Sequence, residues 1–243
     1  AQAQDSGQIA ILRQRYFGNM EQFGFVGGRI FAKQVDQLLP QWRALFERTA
    51  RRHDLDWRLL AAISYQESHW DADAVSPTGV RGLMMLTEVT AAELGLSDRR
   101  DPQQSVSGGT RYLLQLHARL PDTIEEPDRT WMALAAYNIG LGHVLDARRL
   151  LEANERDPTR WANVREALGW LTKKQYYSHT RHGYAPGYEA VKYVDNIRIY
   201  YDILLWMSGD QEGKKPAALQ DEPAASTADA DEEAVISIDS PAL

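Results

Sequence analysis

The sequence predicts a mainly α-helical domain, and three observations predict it. Apolar residues recur at helical spacing from residue 29 to 208. No Asn-Gly or Asp-Gly pair marks a two-residue hairpin, and few runs alternate apolar with polar residues. Gly95, Pro121, Gly140 and Gly142 follow periodic stretches, as helix stops do.

Each element follows from its residues. Leu38, Leu39, Trp42, Leu45 and Phe46 form the first apolar stripe. Asp56 is placed to cap the next helix, with Trp57, Leu60 and Ala61 turned inward. Thr87 opens a short helix that Gly95 stops. Over 109–120, Tyr112, Leu113, Leu116 and Leu120 share one side, and Pro121 ends the run. An Ala-rich helix over 129–139 is expected to stop at Gly140 and Gly142. The last long helix spans about 188–206, with Val191, Val194, Ile197, Ile199, Ile203 and Leu204 as its buried face.

The flanks read differently. In residues 1–28, Ile9, Leu12 and Tyr16 keep helical spacing before glycines at 18, 24, 27 and 28. A lone short helix is marginal in water, so this stretch is expected to be a linker or the remnant of an upstream module. Residues 210–243 hold nine acids and two lysines and account for the whole net charge of −7. From 209 onward we expect an acidic, flexible tail that cannot bury enough surface to order itself. Within it, "AVISID" (234–239) alternates and could dock as a short strand. The body is neutral, which argues against a nucleic-acid partner. No apolar run approaches the ~20 residues that span a bilayer. No basic-then-apolar start marks a signal peptide, so the chain reads as mature or truncated. The absence of cysteine excludes disulfides and thiolate metal sites.

One acid stands out. The stretch "LLAAISYQESHWDADAV" (59–75) carries Glu67 at the end of a helix. Leu60, Ile63 and Ser64 lie on the same face, one and two turns back. Desolvation there disfavours the carboxylate, and the C-terminal end of the helix macrodipole opposes negative charge. Both raise the pKa, as a general acid requires. A solvated glutamate at a frayed helix end fits the same periodicity, so the residues alone leave both readings open. After Glu67 comes an irregular connector in which Pro77, Gly79 and Gly82 allow tight turns and close backbone approach.

The connector and three later segments resemble the lytic murein transglycosylases of goose-type-lysozyme-like fold. "ESHWDADAVSPTGVRGLMMLT" is similar to that family's Glu-Ser pattern through Glu67, Ser68, Trp70, Asp71, Ser76, Gly79, Gly82, Leu83 and Met84. "SGGTRYLLQL" (107–116), "ALAAYNIGLGHV" (133–144) and "YEAVKYVDNI" (188–197) resemble its later motifs in order and spacing. Most relatives carry Gln where Met85 stands, so the amide contact that Gln would make is missing. The Met variant, with "YVDNIRIYYDIL", is most similar to a membrane-bound type whose catalytic domain follows a module resembling periplasmic solute-binding proteins.

The resemblance implies a lysozyme-like helical catalytic domain over 29–208. It implies cleavage of the β-1,4 bond between N-acetylmuramic acid and N-acetylglucosamine, with 1,6-anhydromuramoyl ends and no water consumed. Glu67 would serve as acid and then as base. Ser76 and Met84 would line the sugar site, with Met85 at the variant position. Tyr137 would orient Glu67 or the substrate, although its spacing equally allows a core tyrosine. Asn138 would tie down the turn that presents Tyr137, and Tyr193 would approach from the last helix. The resemblance implies no cofactor and no metal. Its implied partners are the peptidoglycan strand and the upstream module, and its implied location is the periplasm, associated with the outer membrane. A hydrolytic goose-type lysozyme and a non-catalytic glycan-binding domain are the alternatives.

Other candidates are weaker. The connector fails as a calcium loop, because its fifth, sixth and twelfth positions from Asp71 are Val75, Ser76 and Gly82. Asp71, Asp73 and Asp146 read as loop or surface acids. His179 and His182 read as surface residues on a basic, Tyr-rich loop without a third ligand.

Overall fold

Helix follows helix in a computed structural model that describes residues 24–209. Ten helices lie among the described residues: α1 (Gly24–Gln37), α2 (Leu39–Arg52), α3 (Trp57–Ser68), α4 (Glu88–Glu93), α5 (Pro102–Ala118), α6 (Asp128–Ile139), α7 (Leu141–Ala153), α8 (Trp161–Trp170), α9 (Lys174–Tyr177) and α10 (Gly187–Met207). The boundary expected at residue 28 falls inside α1. The acidic tail from 210 and its "AVISID" stretch lie outside the described residues.

Helix α3 lies in the core. It packs between α2 and α10, and α10 also packs on α6 and α8. Its face is almost wholly apolar, with Leu60, Ala61, Ala62 and Ile63 fully buried, as expected for a helix surrounded by others. Its start is fixed as the sequence predicts: Asp56 accepts from the Arg58 N–H at 2.9 Å. The Asp56 carboxylate also accepts from the Arg58 guanidinium and the Tyr201 hydroxyl, which ties α3 to α10. Thr87 likewise caps α4 by accepting from the Thr90 N–H.

The last helix turns a different face inward than its aliphatic stripe suggests. Ala190, Tyr193, Val194, Ile197, Tyr200, Tyr201 and Leu204 are buried, while Val191, Ile199 and Ile203 are only half-buried. Tyrosines are tolerated inside because their hydroxyls find acceptors, Tyr193 on Glu67 and Tyr201 on Asp56. The Ala-rich helix α6 ends at Gly140 (φ +90°), but Gly142 does not stop a helix. It lies in the first turn of α7, where the ring of His182 occupies the place of a side chain.

The connector 69–87 folds back over the end of α3. His69 and Trp70 both adopt left-handed backbone (φ 52° and 62°), an arrangement that costs energy for non-glycine residues. Tertiary bonds hold it: the Trp70 indole donates to the Ala61 carbonyl, and the Trp70 carbonyl accepts from Trp42. Single bridges pair Val75 with Arg81 and Arg81 with Leu86, so the connector is a pinned loop rather than a sheet.

Candidate active site

Glu67 sits in the last turn of α3, partly exposed at the end of a buried stripe. The Tyr193 hydroxyl donates to its Oε1 at 2.5 Å. Burial of the carboxyl outweighs that hydrogen bond, and the Glu67 pKa is pushed up to about 7. Near neutral pH this group is poised between acid and base, which is what proton transfer in both directions needs. Burial first, and then the charge of Glu67, raise the pKa of both Tyr137 and Tyr193, so the three groups form one electrostatic cluster. The two tyrosines remain neutral donors.

The tyrosines divide their roles otherwise than the sequence suggests. Tyr193, expected only to approach the cleft, bonds Glu67 directly. The Tyr137 hydroxyl instead donates to the Met84 carbonyl at 2.9 Å, and its ring meets Tyr112 edge-on at 5.2 Å. The Met84 N–H donates to Ser105 Oγ, while Ser64 Oγ and Ser68 Oγ both donate to the Leu83 carbonyl. The Leu83–Met84 main chain is therefore fixed from α3, α5 and α6 together. Nothing in the sequence marks Ser105 for this; Ser64 is legible only as a neighbour of Glu67.

The remaining expected site residues separate. The Met84 side chain is fully buried against Gly109, so the expectation that it lines the sugar site is corrected: only its main chain faces Tyr137. Ser76 is 5% exposed and its hydroxyl is engaged with Thr78 and the Val80 N–H, so it stabilises the connector from within. Met85 is half-buried with φ +45°, beside the carbonyl that Tyr137 holds. Asn138 is exposed at the end of α6, and its side chain forms none of the hydrogen bonds among the described residues that would tie down a turn.

Asp146 is also corrected. It is not a loop or surface acid but a fully buried one on α7, held in its charged form by the His182 N–H and ring. One further acid has a raised pKa, Asp202 at about 6, through burial. It lies nine residues from Tyr193 along α10, about 13 Å of rise, too far to share a proton with Glu67. Two surface hollows, one against Leu45 and Arg111 and one against Arg81 and Arg99, do not include Glu67. Among the described residues no group of acids and histidines could hold a metal ion, and no helix is long and apolar enough to cross a membrane.

Removal of the Tyr193 hydroxyl gives a direct test of this electrostatic arrangement. The hydrogen bond favours the carboxylate, so Tyr193→Phe is expected to move the Glu67 midpoint above about 7, by roughly one pKa unit. Titration of the Glu67 carboxyl carbon by NMR checks this. A midpoint that stays put or falls would mean the bond does not hold the charge.

Residues 44–159 match the family model described as Transglycosylase SLT domain. The match ends before α10, the helix that carries Tyr193. A protein of Stutzerimonas stutzeri (strain A1501) named membrane-bound lytic murein transglycosylase F is 55% identical over 217 residues, 89% of this chain and 45% of its own length. One of Ectopseudomonas mendocina (strain ymp) with the same name is 50% identical over 216 residues, 88% of this chain and 44% of its own length. The chain thus spans less than half the length of these relatives. Among solved structures, an inactive mutant of lytic transglycosylase Slt from Pseudomonas aeruginosa superposes with a TM-score of 0.57 at 21% identity, covering 88% of this chain and 31% of that one. The 70 kDa soluble lytic transglycosylase from Escherichia coli gives 0.54 at 20% identity, covering 83% and 30%. At such identities the structures show a shared fold, the mainly helical, lysozyme-like one.

Proposed function

The chain belongs to the family of transglycosylase SLT domains, and from that membership we propose that it is the catalytic part of a lytic transglycosylase acting on peptidoglycan. Glu67 is the acid and base. It first protonates the glycosidic oxygen between N-acetylmuramic acid and N-acetylglucosamine. As carboxylate it then takes the proton of the muramoyl C6 hydroxyl, whose oxygen attacks the anomeric carbon and closes a 1,6-anhydro ring. The leaving sugar departs with the first proton, Glu67 recovers one from the hydroxyl, and no water is consumed.

The observation that carries this reading is the setting of Glu67. Burial raises its pKa to about 7 and Tyr193 opposes the rise; neither influence is a second carboxylate. Two-carboxylate glycosidases hold their acids ~5–5.5 Å apart when retaining and roughly 6.5–9.5 Å when inverting. A reaction whose nucleophile belongs to the substrate needs one acid only. Tyr193 keeps the Glu67 carboxyl oriented, and Tyr137 with the fixed Leu83–Met84 main chain forms the wall opposite. Met85, Ser76 and Asn138 belong to the surroundings of the cleft. No cofactor enters this chemistry. The upstream solute-binding-like module and an outer-membrane association in the periplasm belong to the same proposal, supported by relatives of greater length whose names include "membrane-bound".

Mass spectrometry of murein sacculi digested with this chain tests the reading. Anhydro-ended fragments are the expected result. Reducing-ended fragments would assign a lysozyme-like hydrolase, and no fragments would leave a glycan-binding domain.

A further inference from the structure

The segment between α8 and α10 is unlike the rest of the body. From residue 167 to 188 it contains no acid, yet it carries Lys173, Lys174, Arg181, His179 and His182 within a body of zero net charge. Lys173, Lys174 and Arg181 are exposed, and none forms an ion pair among the described residues. Four tyrosines are interleaved with them. Tyr184 and Tyr188 are each 60% exposed, and Tyr177 meets Tyr184 edge-on at 5.8 Å.

This surface is anchored from below. The buried Asp146 carboxylate accepts from the His182 N–H at 2.7 Å, from His182 Nδ1 at 2.9 Å and from Arg149 Nη1 at 3.1 Å. A buried carboxylate without partners costs several kcal/mol, of order 3–5, so the turn at 180–183 is held to α7 as long as Asp146 is charged. The His182 ring rests on Gly142, where any Cβ would come within 2.7 Å of it. Gly142 lies four residues beyond Asn138, in the first turn of α7, just after the helix that presents Tyr137. The other end of the segment runs into α10, which presents Tyr193. The segment is thus pinned on α7, the helix after the one that carries Tyr137, and continues into α10, which carries Tyr193.

We propose that the 172–186 segment recognises the anionic peptides attached to the glycan strand, and that Asp146 is the residue that positions it. The inference rests on the peptidoglycan reading above. Sugar rings are neutral, and exposed tyrosines suffice to meet them. Unpaired cations without a neighbouring acid answer to carboxylates, which the strand carries on its peptides. Salt screens such exposed pairs, so the preference for peptide-bearing strands falls as ionic strength rises.

The test compares intact sacculi with sacculi whose peptide carboxylates have been converted to amides with carbodiimide and ammonia. Co-sedimentation is measured in the Glu67→Gln background, so that binding is read without digestion. Reversing the charges in Lys173→Glu/Lys174→Glu/Arg181→Glu is expected to weaken binding to intact sacculi about tenfold, from three exposed pairs of up to ~1 kcal/mol each. Binding to amidated sacculi should change less than about twofold. With Glu67 restored, Asp146→Asn should raise KM on intact sacculi selectively and leave kcat nearly unchanged. Equal losses on both sacculi, or none, overturn the proposal. So does a loss confined to vesicles of phosphatidylglycerol, which would assign the surface to a lipid membrane. If the wild-type chain cleaves neither substrate, the catalytic reading fails while the binding comparison still decides this one.

Discussion

Glu67→Gln is expected to lose at least about a thousandfold in turnover and to gain stability at the same time. On the proposed mechanism the loss follows from removing the group that gives and takes the proton, a role worth roughly 10²–10⁴ in rate for each proton transfer. The gain follows from linkage. Glu67 has a folded pKa near 7, above the ordinary 4.5, so the folded state holds a proton that the unfolded chain releases. Stability is then full below about pH 4.5 and is lost progressively as pH rises to about 7. Gln carries no such loss and can still accept the Tyr193 hydrogen bond. At pH 8 the variant should be more stable by about 1–3 kcal/mol, and at pH 4 the two should melt together. Urea titrations at both pH values, beside a turnover assay, check this. An inactive variant without the pH-dependent gain would mean that Glu67 is not strained by burial; an active one would remove Glu67 from the reaction.

Gly82→Ala is expected to damage both fold and activity. A Cβ there would lie 2.2 Å from the Arg99 carbonyl and 2.9 Å from Ser105 Oγ, on a backbone with φ +82°. Left-handed strain and overpacking each cost about 1–3 kcal/mol, so a loss of about 2–4 kcal/mol is expected. Ser105 Oγ accepts the Met84 N–H, and its displacement would loosen the wall that Tyr137 grips. Gly79→Ala separates the two causes. It shares φ +82° but has nothing within 4 Å, and should cost only about 1–2 kcal/mol. Equal denaturation midpoints for the two variants would show that the contact with Arg99 is not what requires glycine.

Much of this molecule follows from local chemistry. The helices over 39–52 and 57–68 can be read from apolar periodicity that burial bears out, and Asp56 and Thr87 cap where an oxygen-bearing side chain precedes a helix; the helix over 102–118 is legible only from about residue 109, where its apolar stripe begins. Glu67 is legible for the same reason: its place on an apolar stripe at a helix end is a one-dimensional fact with an electrostatic consequence. The sequence by itself thus determined the helical class, and it marked Glu67 as a candidate that the family resemblance, not periodicity, singled out.

The tertiary structure decided what touches that acid. The resemblance puts Tyr137 beside Glu67, yet the packing of α10 on α3 brings the Tyr193 hydroxyl to it. Met84 has the composition of a cleft residue and the position of a core one. Asp146 reads as an ordinary surface acid on α7 because its partner, His182, lies 36 residues away. Periodicity reports which face of a helix is apolar; which distant group meets a polar atom on that face depends on how helices cross, and that is fixed only when the whole core closes.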